Sequence, residues 1–149
     1  MSDPETIDRF FTRYGWRVER LSDEVWRTAF RGDVAVYPLF VKLTPEFVYL
    51  TIVPFVVAPR AEARERVYWA LLRFNREMAL AKFALDEDGD VLLTVELSTT
   101  GLDYPLFEEA LTFLTHYADL AYREVLNLAQ DPTSRSRFDD GGDEGSLQA

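Results

Sequence analysis

Residues 71–128 read LLRFNREMALAKFALDEDGDVLLTVELSTTGLDYPLFEEALTFLTHYADLAYREVLNL, and the pattern of this stretch decides the fold. Its hydrophobic period switches from helical to alternating and back. Leu71 and Phe74 close a helical pattern at Asn75, whereas Ala81, Phe83 and Leu85 alternate, as do Val91, Leu93, Val95 and Leu97. Spacings of three and four mark a helix, and spacing of two marks a strand with one buried face. Asp86-Glu87-Asp88-Gly89-Asp90 joins the two strands as a hairpin, and Gly101-Leu102-Asp103 leads into a long helix from near Asp103.

That last helix places Phe107, Ala110, Leu111, Leu114, Ala118, Ala121, Val125 and Leu128 on one face. Leu106, Phe113, Tyr117 and Leu120 form a second stripe beside it. Together they cover roughly half the circumference, more than the ~100° that one contact requires. Either the helix is wedged between two elements or part of it is an intermolecular surface. Beyond Ala129 periodicity stops, and residues 130–149 read as a disordered acidic tail.

Working toward the N-terminus, Pro59 starts a helix that runs to about Glu77. Ala63, Val67, Ala70, Leu71, Phe74 and Met78 are its core stripe, with Tyr68 and Leu72 on the flank and Trp69 pointing away. Before it, 34–43 and 47–57 are strands that are apolar on both faces, so the sheet is covered on each side or meets a partner. Pro38 cannot donate to a ladder and predicts a sheet edge or a bulge; Pro54 predicts a bulge or strand end. Trp16 to Phe30 is strand material broken at Ser22-Asp23-Glu24. Ser2 and Glu5 match a capping box, followed by Pro4 in the first turn, then Ile7, Phe10, Phe11 and Tyr14 at helical spacing and a stop at Gly15. The sum is one α+β domain over 1–129, an antiparallel β-sheet with helices packed on it, in the order α-β-β-β-α-β-β-α.

Composition narrows the function classes. The absence of cysteine removes disulfides, thiolate metal sites and Cys nucleophiles, and a single histidine, His116, excludes a His-rich metal site. The formal charge of -10 opposes a phosphate backbone, so nucleic acid is not an expected partner. The acidic start lacks a signal peptide's basic and apolar regions, and the longest apolar run, 48–58, is too short to span a bilayer. The expectation is a cytoplasmic protein that engages no membrane.

Candidate chemistry is sparse. The Asp86–Asp90 turn fails the spacing of a calcium loop: Gly89 is at position 4, and position 12 is Leu97. His116 lies between Thr112, Asp119 and Arg123 on the polar side of the last helix, a grouping that resembles a catalytic triad only on paper. Glu108 and Glu109 suit the positive end of the helix dipole. No phosphate-binding or dinucleotide-binding glycine motif occurs. No catalytic residue, metal or cofactor is assigned. The surface group with the composition of an interface hot spot is Trp69 with Arg66, Arg73 and Arg76. Asn75 is either a helix C-cap or a side-chain tie to backbone.

Asn75, Lys82-Phe83, Asp88-Gly89, the apolar strand 91–97 and Leu102-Asp103 together resemble the bacterial YbjN family over about residues 7–128. Ala81 departs from the glycine that often precedes Lys-Phe there. The resemblance implies a type III secretion chaperone-like fold with helices on one face of a twisted sheet, together with dimers and protein binding, and no transferable catalytic residue.

The expected function is a non-enzymatic protein-interaction module, chaperone- or adaptor-like, acting as a homodimer that binds a protein segment. Trp69, Arg66, Arg73, Arg76, Leu106, Phe113, Tyr117 and Leu120 are its candidate partner-binding residues. Two rivals stand beside it: a regulatory domain holding a small molecule between sheet and helices near Asn75, Tyr68 and Tyr117, and a hydrolase using His116.

Overall fold

Helix α1 (Pro4–Tyr14) starts where the Asp3 carboxylate accepts the Thr6 N–H at 2.9 Å, and it stops at Gly15 with a left-handed φ of 93°. Asp3 is therefore the cap. Ser2, the expected capping residue, lies outside the residues that the computed structural model describes, which are 3–139. Ile7 and Phe11 are buried, as the helical spacing requires.

Six strands follow: β1 (Glu19–Arg20), β2 (Val25–Arg31), β3 (Val36–Leu43), β4 (Phe47–Val56), β5 (Ala81–Leu85) and β6 (Val91–Ser98). A 3-10 turn (Ala61–Ala63) precedes α2 (Arg64–Glu77), and α3 (Tyr104–Gln130) closes the fold. The order is α-β-β-β-β-α-β-β-α, one strand more than expected, because the break at Ser22–Glu24 splits the first stretch into β1 and β2. All pairs are antiparallel, in the sheet order β1-β2-β3-β4-β6-β5.

One face of this sheet meets the helices. Tyr37, Leu39, Val41 and Leu43 of β3 and Val48, Leu50 and Ile52 of β4 point into the core, with α3 lying over β4, β5 and β6. The opposite face carries Arg27, Phe40, Thr51, Thr94 and Lys82 side by side across five strands. The strands that read as apolar on both faces are thus covered by the chain on one face, and Val36, Phe40 and Phe47 are exposed on the other.

The two prolines behave differently. Pro38 sits in an interior strand opposite Ala29 of β2, which corrects the edge expectation. The β3–β4 ladder ends next to it, at Leu39 and Ile52, so the proline marks the end of one ladder. Pro54 falls inside the register shift between Ile52 and Val56, the bulge its sequence position implied.

Each sheet edge carries a local guard against further pairing. The β1 edge is two charged residues long. At the β5 edge, Asn75 of α2 accepts the Phe83 N–H at 2.7 Å and donates to the Phe83 carbonyl at 3.2 Å. Its amide thus replaces a neighbouring strand at that residue, which selects the backbone tie over the C-cap.

Candidate functional site

The outer side of α2 and the groove between α2 and α3 carry most of the unusual chemistry. Helix α2 buries Val67, Ala70, Leu71 and Phe74, which leaves Glu65, Tyr68, Trp69, Leu72, Arg73 and Arg76 on its other sides. Trp69 is 56% and Leu72 68% exposed, well beyond what a packed amphipathic helix presents.

The chain beyond α3 returns to this helix pair. Asp131 ends α3, and its carboxylate accepts the Thr133 N–H at 2.9 Å and hydroxyl at 2.7 Å, which turns the backbone. Residues 136–139 then lie across the groove. Phe138 is 4% exposed, its ring 4.9 Å from that of Phe74 in an edge-to-face contact. The Arg73 guanidinium sits 5.0 Å from the Phe138 ring and 5.8 Å from the Trp69 ring, a cation shared by two π-faces. The Arg137 guanidinium lies 4.9 Å from the Phe74 ring on the other side.

Charges hold the ends of this segment. Glu124 of α3 accepts from Arg137 Nε at 2.7 Å, from the Ser136 hydroxyl at 2.6 Å and from the Arg137 N–H at 3.2 Å. Arg66 of α2 donates to Asp139 at 3.1 Å and to the Pro132 carbonyl at 3.1 Å. The Ser136 N–H, with Arg66 beside it, holds the Asp139 carboxyl below its usual range. This folded stretch differs from the tail expected over 130–149; residues 140–149 lie outside those described.

Next to the docked segment is a cavity of about 280 Å³ lined by Glu65, Arg66, Tyr68, Trp69, Leu72, Ser136 and Asp139. The structure thus brings Arg66, Arg73 and Trp69 together, with Leu120 close by through its carbonyl, which accepts from Arg137 at 3.1 Å. Arg76 is exposed in the last turn of α2. The other expected residues do not join this group as a single patch. Leu106 is fourteen residues from Leu120, roughly 21 Å along the helix axis. Phe113 and Tyr117 are half-buried with ring centroids 6.0 Å apart, and the Tyr117 hydroxyl accepts the Ala79 N–H at 3.0 Å, bracing the turn into β5.

The remaining candidates are structural. Asp119 accepts from the Asp33 N–H at 2.8 Å, the Val34 N–H at 3.3 Å and the Tyr37 hydroxyl at 2.8 Å, so it pins the β2–β3 turn. Burial and that hydrogen bond push the Tyr37 phenol far above its usual range. Of the Thr112-His116-Asp119 grouping, Asp119 is engaged with this turn, and His116 lies exposed beside Tyr117. In the acidic hairpin, Asp86 accepts from the Asp88 and Asp90 N–H groups, and Asp90 accepts from Ala58. Among the described residues, no helix is long and apolar enough to cross a membrane.

Sequence reasoning missed the segment 131–139 and its anchor Glu124 as parts of this site. The one available signal was Phe138, an aromatic set between Arg137 and Asp139 in an otherwise polar stretch.

Comparison with known proteins places this geometry. A search of curated proteins finds no match. Among solved structures, a chain of the heterodimeric ExoU–SpcU complex from the Pseudomonas aeruginosa type III secretion system aligns with a TM-score of 0.58 and 18% identity, covering 85% of this chain and 99% of that one. A chain of the ExsC–ExsE complex aligns with a TM-score of 0.58 and 22% identity, over 82% and 92% of the two chains. A chain of the HopA1–SchA chaperone–effector complex aligns with a TM-score of 0.58 and 14% identity, over 80% and 91%. At these identities the likeness establishes the fold, which is that of type III secretion chaperones. The YbjN family model, described as "Putative bacterial sensory transduction regulator", matches residues 3–127, and the chain therefore belongs to the YbjN family.

Proposed function

We propose that this protein is a non-enzymatic, cytoplasmic binding module that captures a segment of a partner protein and works as a homodimer. The observation that carries the reading is the exposure of Trp69 and Leu72 on α2, beside a cavity edged by Arg66. Exposed Trp with neighbouring Arg is the composition of an energetic anchor at protein interfaces, and apolar area of this kind is stabilised by a partner. A chain of the HopA1–SchA chaperone–effector complex has a similar fold, which supports a protein as the ligand. Leu80 and Leu85, both exposed at the β5 edge, add apolar surface that suits a second copy of the chain.

The test pairs capture from the native bacterial cell with light scattering on the purified protein. Trp69→Ala is expected to weaken the recovered interaction by about 2 kcal/mol, roughly thirtyfold, while leaving the fold intact. A monomer at every concentration, together with partner recovery unchanged by Trp69→Ala and Leu72→Ala, would sink the reading.

A further inference from the structure

The segment 136–139 occupies its groove the way a bound peptide does. Its aromatic residue is anchored between Arg73 and Phe74, its basic residue meets Glu124, and its acidic residue meets Arg66. Its hydrogen bonds to α2 and α3 are made by side chains and one backbone group, the Arg137 N–H, and the segment itself contributes no helix or strand. The groove residues Arg66, Arg73, Phe74 and Glu124 lie within the family-matched region, 3–127, whereas the occupant lies outside it. A groove belonging to the shared domain is thus filled by a stretch that the shared domain does not include.

We infer that the α2–α3 groove is a binding site for extended protein segments in which an arginine precedes an aromatic residue and an acid follows it, and that Arg137-Phe138-Asp139 is its resident competitor. The inference rests on the reading of this protein as a binder of protein segments and names the site and the class of segment. Opposite charges at the two ends fix the direction of the bound chain: the basic residue must face Glu124 and the acid Arg66. The adjoining cavity beside Trp69 and Leu72 borders Asp139 and gives a longer partner room that the resident segment leaves open. Because the competitor is tethered, its effective concentration is of millimolar order, so a free segment binds well only when the resident one is weakened.

The experiment titrates a fluorescein-labelled peptide with the sequence of residues 133–139 into the full chain and follows anisotropy. Phe138→Ser protein is expected to bind it at least about tenfold more tightly than the unaltered protein. Arg137→Glu, at an exposed residue, is expected to act in the same direction with a smaller ratio. Adding Glu124→Arg to Phe138→Ser removes the gain, and a peptide with alanine in place of the phenylalanine does not bind. Equal affinity for the unaltered and Phe138→Ser proteins, binding indifferent to Glu124→Arg, or no binding to either folded variant would each overturn the inference. Unfolding of both segment variants would overturn it too, because the segment would then be part of the core. Should the peptide fail while Trp69→Ala still abolishes partner recovery, the protein-binding reading stands and this groove drops out of it.

Discussion

The Asp119 carboxylate accepts the Tyr37 hydroxyl at 2.8 Å, and the same side chain takes the N–H groups of Asp33 and Val34. One residue of α3 thereby sets the β2–β3 turn and the position of the largest aromatic side chain of β3. A charged acceptor with three donors contributes more than a neutral hydrogen bond. Asp119→Ala is expected to lower unfolding stability by about 2–3 kcal/mol in urea titrations, and His116→Ala by less than about 0.5 kcal/mol. Equal effects of the two would return the Thr112-His116-Asp119 grouping to consideration.

Gly32 sits against that carboxylate. A Cβ at this position would collide with Asp119 and lie 2.8 Å from Tyr37 Cε2. Gly32→Ala should cost about 1–3 kcal/mol, and part of that cost should vanish in the Asp119→Ala background, since one of the two obstructions is then gone. Strictly additive costs in the double-mutant cycle would show that the carboxylate is not what excludes the side chain.

Asn75 makes both of its bonds to one residue, Phe83. Replacing it with Ala or Asp strands the Phe83 carbonyl without its donor. Either substitution should destabilise by about 1–3 kcal/mol, and Asn75→Ala should raise hydrogen exchange at the Phe83 amide before the rest of β5. For Asp the N–H can still be accepted while the carbonyl faces a carboxylate, so carbonyl-side strain separates the two variants. Unchanged exchange at Phe83 would remove the edge-closing role.

Docking of residues 136–139 depends on pH through Asp139. The Ser136 N–H, and then Arg66, lower its pKa below the reference 3.8 in the docked state, so docking favours the deprotonated form. The contribution is complete above the unlowered value and disappears as pH falls through the docked one. As pH falls through the reference 3.8 and then through the lowered docked value, the Phe138 ring protons should move from ring-current-shifted positions, set by Phe74 at 4.9 Å, toward free-chain values. Ring shifts that hold steady as pH falls through the docked value would mean that Asp139 is not what keeps the segment in place.

The fold was legible wherever local chemistry decides structure. Alternation in 81–85 and 91–97, the acidic glycine turn between them, and helical spacing from Asp103 onward each depend on neighbours in sequence. Asn75 could be narrowed to two roles and no further, because its partner Phe83 becomes a neighbour only when α2 packs on β5. Pro38 misled for a related reason. A missing donor says that a ladder is interrupted, yet the side on which it ends is set by the register between β3 and β4.

The sequence by itself determined the helices, the hairpin and the buried stripes, because period and side-chain character act over a few residues; that Trp69 is uncovered is a fact of the tertiary structure. Only the tertiary structure decided that Phe138 is buried and that Glu124 is an anchor. Likewise it decided that Arg66 and Arg73 serve a segment some seventy residues away in the chain. A short polar stretch has no hydrophobic period of its own, so its order comes wholly from the surface it lands on. That surface exists only once α2 and α3 lie side by side.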